Sequence, residues 1–376
     1  MVVLVCGAAT GTSGGGPRRT TSFDLRLDTL DVLGRRLTKV TARGVTDASG
    51  WTASMSAAEM AGELSYRSEG RGRLTARLKH LAVAENDPGA KTVTVGQTAL
   101  PESVAGKELP SVDLVAESFT YRGIRFGRVE VAAQHDGPDW RINRIAMVNP
   151  EASLAGQGAW RTGSASRTSL NLKLDSSNVG KLFERLGHPG RIAGGTATID
   201  GKLEWNADPT ALDFDTLSGQ LSLQAEKGQF PHIDAGLGRL LSLVSLNLRE
   251  ATATGYPFDT ISGAFTLARG VAHTEDLTIR SSAAEVKMKG DIDLARESQQ
   301  LHVKVVPTVR RGVTTIATIV NPAVALGMAV GQAVLKDPIG QIFSVEYTVS
   351  GSWSEPKVEK VEAPFAAGSS DPSSRY

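Results

Sequence analysis

Apolar and polar residues alternate with period two over much of this chain. Phe23, Leu25 and Leu27 are interleaved with Asp24, Arg26 and Asp28, and Leu170, Leu172 and Leu174 with Asn171, Lys173 and Asp175. Val129, Val131 and Ala133 follow the same rule, as do Leu221, Leu223 and Ala225. Successive side chains of a strand point to opposite faces, so this spacing predicts strands with one apolar face. The habit continues through Ile261/Phe265/Leu267, Val286/Met288/Ile292/Leu294, Leu301/Val303/Val305 and Val345/Tyr347/Val349. Turn residues separate the runs at Asp47-Ala48-Ser49-Gly50, Asp136-Gly137-Pro138, Arg269-Gly270 and Gly351.

Helical spacing is sparse. "SNVGKLFERLG" (177–187) has Asn178 as a cap, an apolar stripe of Val179, Leu182, Phe183 and Leu186, and Gly187 as a stop. "DAGLGRLLSLVSL" (234–246) is a second candidate, with Asp234 as cap. The pattern divides the chain into a disordered or truncated start (1–22), a β unit (23–81), a linker (82–111) and a second β unit (112–176). A further β region with short helices (177–311), an apolar helical tip (312–343), a final strand (344–361) and a disordered tail (362–376) follow. About ten strands offer an apolar face, with few helices to cover it. Such a sheet either closes as a sandwich or barrel, or curls into a trough that something else fills.

The chain also resembles itself. At an offset of 89, Asp24, Leu25, Gly34, Arg36, Val40, Asp47 and Trp51 fall on Asp113, Leu114, Gly123, Arg125, Val129, Asp136 and Trp140. At a further offset of 132, Phe126, Val129, Ile145, Ala152 and Gly158 fall on Phe258, Ile261, Leu277, Ala284 and Gly290. Repeated β units that cannot each close a core stack along one axis, so an elongated architecture is expected. Trp51 and Trp140 recur after the same tight turn, as strand-edge packing residues or as a platform for a ligand.

"VTTIATIVNPAVALGMAVGQAVL" (313–335) carries no charge. As one helix it would measure about 34 Å, enough for a bilayer core. Asn321-Pro322 interrupts it, because Asn caps a helix and Pro opens one. A helix from Pro322 to Leu335 is then only about 21 Å long. The stretch reads as a hairpin packed over the end of the sheet, as helices that touch a bilayer, or as a span. Ile316, Ile319, Val320, Leu326, Val330 and Leu335 are its candidate membrane-contacting side chains.

Candidate chemistry is thin. Lys and Arg number 41 against 40 Asp and Glu, which lacks the clustered excess of a nucleic-acid footprint. Arg18-Arg19, Arg35-Arg36, Arg71/Arg73/Arg77 and Arg310-Arg311 read as solvated strand edges. One cysteine, Cys6, permits no intrachain disulfide. The six histidines lie at no metal-ligand spacing, and no HExxH, CxxC or GxSxG occurs. We therefore expect no catalytic residues, no metal, no cofactor and no enzyme activity.

Three stretches carry a family resemblance: "LSGQLSLQAEKGQFPHIDAGLGRLLSLVSLN", "YPFDTISGAFTLARGVAHTEDLTIRSSAAEVKMKGDIDLA" and "NPAVALGMAVGQAVLKDPIGQIFSVEYTVSGSWSEPKVE". With the closing pattern Tyr347, Val349, Gly351, Trp353, Pro356, Val358, they resemble the C-terminal region of YhdP-type, AsmA-like proteins of the Gram-negative envelope. The resemblance covers roughly 112–361, and 23–81 more loosely. It implies a mainly β fold: an elongated, curled antiparallel sheet forming a repeating groove or trough, with a few short helices and a C-terminal apolar helical hairpin. It implies a periplasmic, membrane-associated protein that conducts phospholipid between inner and outer membranes and supports the outer-membrane barrier. Leu172, Leu174, Leu221, Leu223, Phe265, Leu267, Met288 and Ile292 would line the trough, and 313–335 would meet the outer-membrane surface. The chain is shorter than family members and lacks their inner-membrane anchor helix: as a fragment it would be the distal part, and as a complete protein it would put the two-membrane bridge in doubt. A closed β-solenoid scaffold, with its apolar face buried on itself and no lipid cargo, is the alternative.

Overall fold

A computed structural model describes residues 3–8, 20–32, 35–83, 109–137, 139–163, 165–231, 255–308 and 344–361. The first half comprises β1 (Val3–Ala8), β2 (Thr21–Val32), β3 (Arg35–Asp47), β4 (Gly50–Ser56), β5 (Met60–Arg67), β6 (Arg73–Val83), β7 (Ser111–Tyr121), β8 (Ile124–Asp136), β9 (Asp139–Val148) and β10 (Ala152–Arg161). Then come β11 (Arg167–Ser176), α1 (Val179–Arg185), β12 (Ala193–Trp205), β13 (Ser218–Phe230), β14 (Tyr256–Ala268), β15 (Val271–Arg280), β16 (Ala284–Asp293), β17 (Ser298–Pro307), β18 (Val345–Ser352) and β19 (Pro356–Lys360).

Each strand pairs with the next in chain order, and all belong to one open, curled sheet. At the spacing of paired strands, about 4.8 Å per step, the stack runs roughly 85 Å. The expectation of an antiparallel sheet holds at every step but one. β6 and β7 run parallel, with Arg73 opposite Ser111 and Val83 opposite Tyr121. A parallel return must travel back the length of a strand, which no hairpin can do. β7 therefore starts beside the start of β6, and most of the residues between the two strands lie outside the described ones.

The internal repeats reappear as strand boundaries. Adding 89 to the bounds of β3 gives those of β8, and adding 132 to β8, β9 and β10 gives β14, β15 and β16. Even the irregularities repeat. The break in pairing between Ile142 and Ile145 of β9 recurs between Thr274 and Leu277 of β15. The turn that closes β9 onto β10 (Asn149 N–H to Ala152 O, 2.9 Å) recurs as Ser281 N–H to Ala284 O (2.9 Å) and as Ala57 N–H to Met60 O (2.7 Å).

The sheet has two long borders. One border, the helix lip, carries the links 33–34, 57–59, 122–123, 149–151, 177–192, 231–255, 281–283 and 308–344. The other, the turn lip, carries 48–49, 68–72, 137–138, 162–166, 206–217, 269–270, 294–297 and 353–355. The parallel pair keeps this assignment consistent, because β6 and β7 both start at the turn lip.

α1 is the single helix among the described residues, and it forms where the sequence predicts it. The Asn178 side chain accepts the Lys181 N–H at 3.0 Å, as an N-cap should. Val179, Gly180 and Leu182 are buried, and Arg185 reaches back to Glu151 at 2.6–2.7 Å. The second helix candidate (234–246) lies outside the described residues, as does the expected apolar helical hairpin with Ile316, Ile319, Val320, Leu326, Val330 and Leu335.

Candidate functional site

Opposed residues of paired strands share a face, so the register shows which side chains stand together. Across the sheet, Gly156 of β10, Leu172 of β11, Gly201 of β12, Leu221 of β13 and Phe265 of β14 form one row. Leu154, Leu174, Ile199, Leu223 and Gly263 form the next. Gly219 and Leu267 extend the face to Ala272, which stands opposite Ile292, while Leu277 stands opposite Met288. All eight residues expected to line a trough therefore lie on one face, although they come from four separate strands. From β8 to β17 the paired positions of this face hold no Asp, Glu, Lys or Arg.

The charges occupy the opposite face. Arg77 and Asp113 pair across β6 and β7 at 2.9 Å, and Arg128 and Arg144 both meet Glu130. Lys304 meets Glu346 at 3.3 Å and Lys287 meets Glu285 at 2.8 Å. Hydrogen bonds from Arg77 hold the Asp113 carboxyl below its ordinary range, and those from Lys304 do the same for Glu346. These are exposed pairs of modest energetic weight. They keep one face wet while the other stays apolar.

The apolar face contains the sheet's three hydrophobic clusters, but it is not uniformly sealed. Leu172, Leu174, Leu221, Leu223, Phe265 and Ile292 are half-buried, whereas Leu267 and Met288 are buried. Glycines explain the shallow floor. A Cβ on Gly156 would lie 2.6 Å from Leu172 Cδ2, and one on Gly201 would lie 2.2 Å from Leu221 Cδ2. Each leucine lies down over the neighbouring glycine, covering the backbone while leaving the space above it free. At β2–β4 an open apolar cleft of about 320 Å³ is lined by Phe23, Leu25, Leu27, Val40, Trp51 and Met55, among others.

A larger depression, about 480 Å³, sits at the helix lip among Asn149, Ser153, Asp175, Thr198, Gln224 and Glu226. Its walls are mixed and its two carboxylates suit neither an apolar ligand nor an anion. Among the described residues no group of three or more His, Cys, Asp or Glu side chains could hold a metal ion. No described helix is long and apolar enough to cross a membrane. What the arrangement offers is surface: a long apolar face with no charge to desolvate, bordered by polar lips.

The sequence profile of the YhdP protein family matches residues 7–358. A curated relative, "Intermembrane phospholipid transporter YhdP" of Escherichia coli (strain K12), is 25% identical over 264 residues. The alignment covers 67% of this chain and 21% of the relative, so the chain spans about a fifth of the length of that protein. No solved structure matches.

Proposed function

The chain belongs to the YhdP family, and on that premise we propose that it is the distal part of a hydrophobic β-trough. In this reading it conducts phospholipid between the inner and outer membranes of a Gram-negative envelope, supports the outer-membrane barrier and performs no chemistry. The observation that carries the reading is the charge-free face running through β8–β17. Exposing a sixteen-carbon acyl chain to water costs on the order of 10 kcal/mol at about 0.8 kcal/mol per CH₂. A continuous apolar floor lowers that cost at every step of the path, while the headgroup stays in water at the opening. Conduction of this kind needs continuity and absence of charge, not a particular residue. Leu172, Leu174, Leu221, Leu223, Phe265 and Ile292 are the half-buried contacts for such a tail, and Leu267 and Met288 back them.

The same reading places the chain in the periplasm, with 313–335 resting on the outer-membrane surface. Replacing Leu326 and Val330 with Lys is expected to abolish liposome binding, and unchanged binding would remove that contact from the reading. The scaffold alternative draws on one observation, the closure of the apolar face over β16–β18, where Val303 and Val305 are each only 1% exposed. Purification without detergent, followed by solvent extraction and mass spectrometry, separates the two. Co-purifying phospholipid supports the trough, and a monodisperse, lipid-free protein that takes up no lipid from liposomes supports the scaffold.

A further inference from the structure

The chain's five tryptophans, at positions 51, 140, 160, 205 and 353, all lie at the turn lip. Trp51 and Trp140 are the second residues of β4 and β9, Trp160 is next to last in β10, Trp205 ends β12, and Trp353 follows β18. The helix lip has none. Four of the five belong to the apolar face. Trp140 stands opposite Trp160, which stands opposite Thr168, which in turn stands opposite Trp205. Trp51 stands opposite Tyr66 and lines the open cleft of β2–β4.

The polar edges of these rings point outward along the strands. Trp160 Nε1 donates to Ser166 Oγ at 2.8 Å, and Trp205 Nε1 donates to the Asp208 carbonyl at 3.1 Å, both acceptors being in turn-lip loops. Trp140 packs edge-on against Trp160, with centroids 6.1 Å apart and planes at 88°. Its Nε1 is buried and has no hydrogen-bond partner. Indoles that keep an apolar body in hydrocarbon and an N–H at its boundary mark the level where acyl chain gives way to ester and phosphate.

Resting on the lipid-carrying reading above, we propose that the turn lip is the headgroup lip of the trough. Trp51, Trp140 and Trp160 stand at the level of the ester and phosphate groups of a bound phospholipid. The tails then run from the turn lip across the glycine-floored strands toward the helix lip.

The test is ¹⁹F NMR on protein carrying 5-fluorotryptophan, its five resonances assigned by single Trp→Phe variants. It is loaded with phosphatidylcholine bearing a nitroxide either on the headgroup or at the end of one acyl chain. The headgroup label is expected to broaden Trp51, Trp140 and Trp160 several-fold more than the tail label does. Equal or stronger broadening by the tail label would overturn the headgroup lip while leaving the trough itself standing. No broadening by either label would overturn the lipid-carrying reading, and the lip with it.

Discussion

Two regions of the same apolar face have opposite fates. In β10–β13 one row sets large side chains against glycines, with Leu172 between Gly156 and Gly201 and Leu221 beside Gly201, while the next row runs Leu154, Leu174, Ile199, Leu223. In β16–β18 several large side chains meet one another: Val286 on Val305, Met288 on Val303, and Val303 on Tyr347. The first arrangement leaves leucines half-buried, and the second buries Val303 at 1% and Tyr347 at 2% exposure. Alternation decides which face is apolar. Glycines such as Gly156 and Gly201 keep part of it shallow.

The largest effect should come from charging the closed region. Met288→Asp places a carboxylate among Val286, Leu301 and Val303, where no cation faces it. A loss of about 4 kcal/mol or more is expected in denaturant unfolding, since a buried charge there has no partner. Leu223→Asp, at a half-buried position of the open region, should cost about 1 kcal/mol or less and yet strip the protein of lipid. Equal destabilisation by both substitutions would erase the distinction between the regions.

A smaller effect tests the glycine floor. Gly201→Val drives its side chain into Leu221 Cδ2 and should cost about 1–3 kcal/mol by overpacking. Bound lipid should fall in proportion to the space filled. The matching change in the closed region, Val303→Gly, should destabilise the fold without raising lipid uptake.

The smallest effect concerns the clasp that holds α1 to the helix lip. Hydrogen bonding and charge from Arg185 hold the Glu151 carboxyl below its ordinary range. A depressed folded-state value means the pair stabilises the fold above the ordinary carboxylate range. That stability is lost as pH falls through the lowered value. Unfolding measured from pH 7 downward should lose about 0.5 kcal/mol at the acid end. Glu151→Gln should start lower and show less of that slope, and an identical slope would place the acid sensitivity elsewhere.

Much of this was legible in sequence because it is local. Period-two spacing marks the apolar face, and Asn178 ahead of Val179, Leu182 and Phe183 marks the one described helix. The repeats at 89 and 132 predict strand bounds because equal lengths between turns repeat equal strands. Other features depend on what meets what. Nothing in residues 84–110 tells that β7 returns parallel to β6. The shift between Thr274 and Leu277 puts Ala272 and Leu277 on one face despite their odd separation, and only pairing reveals it. Leu267 and Met288 read like Leu221 and Leu223 in sequence, yet the structure buries them. The recurrence of Trp51 and Trp140 was visible, but their common lip required the strand directions.

The central claim is that the open stretch of the apolar face touches lipid. A photoreactive amino acid placed singly at Leu223, Ser222 or Val303, followed by irradiation in intact envelopes and mass spectrometry of the adducts, tests it most directly. The account predicts phospholipid adducts at Leu223, and none at Ser222, on the polar face, or at Val303, in the closed core. Adducts absent from Leu223, or as abundant at Ser222, would contradict it.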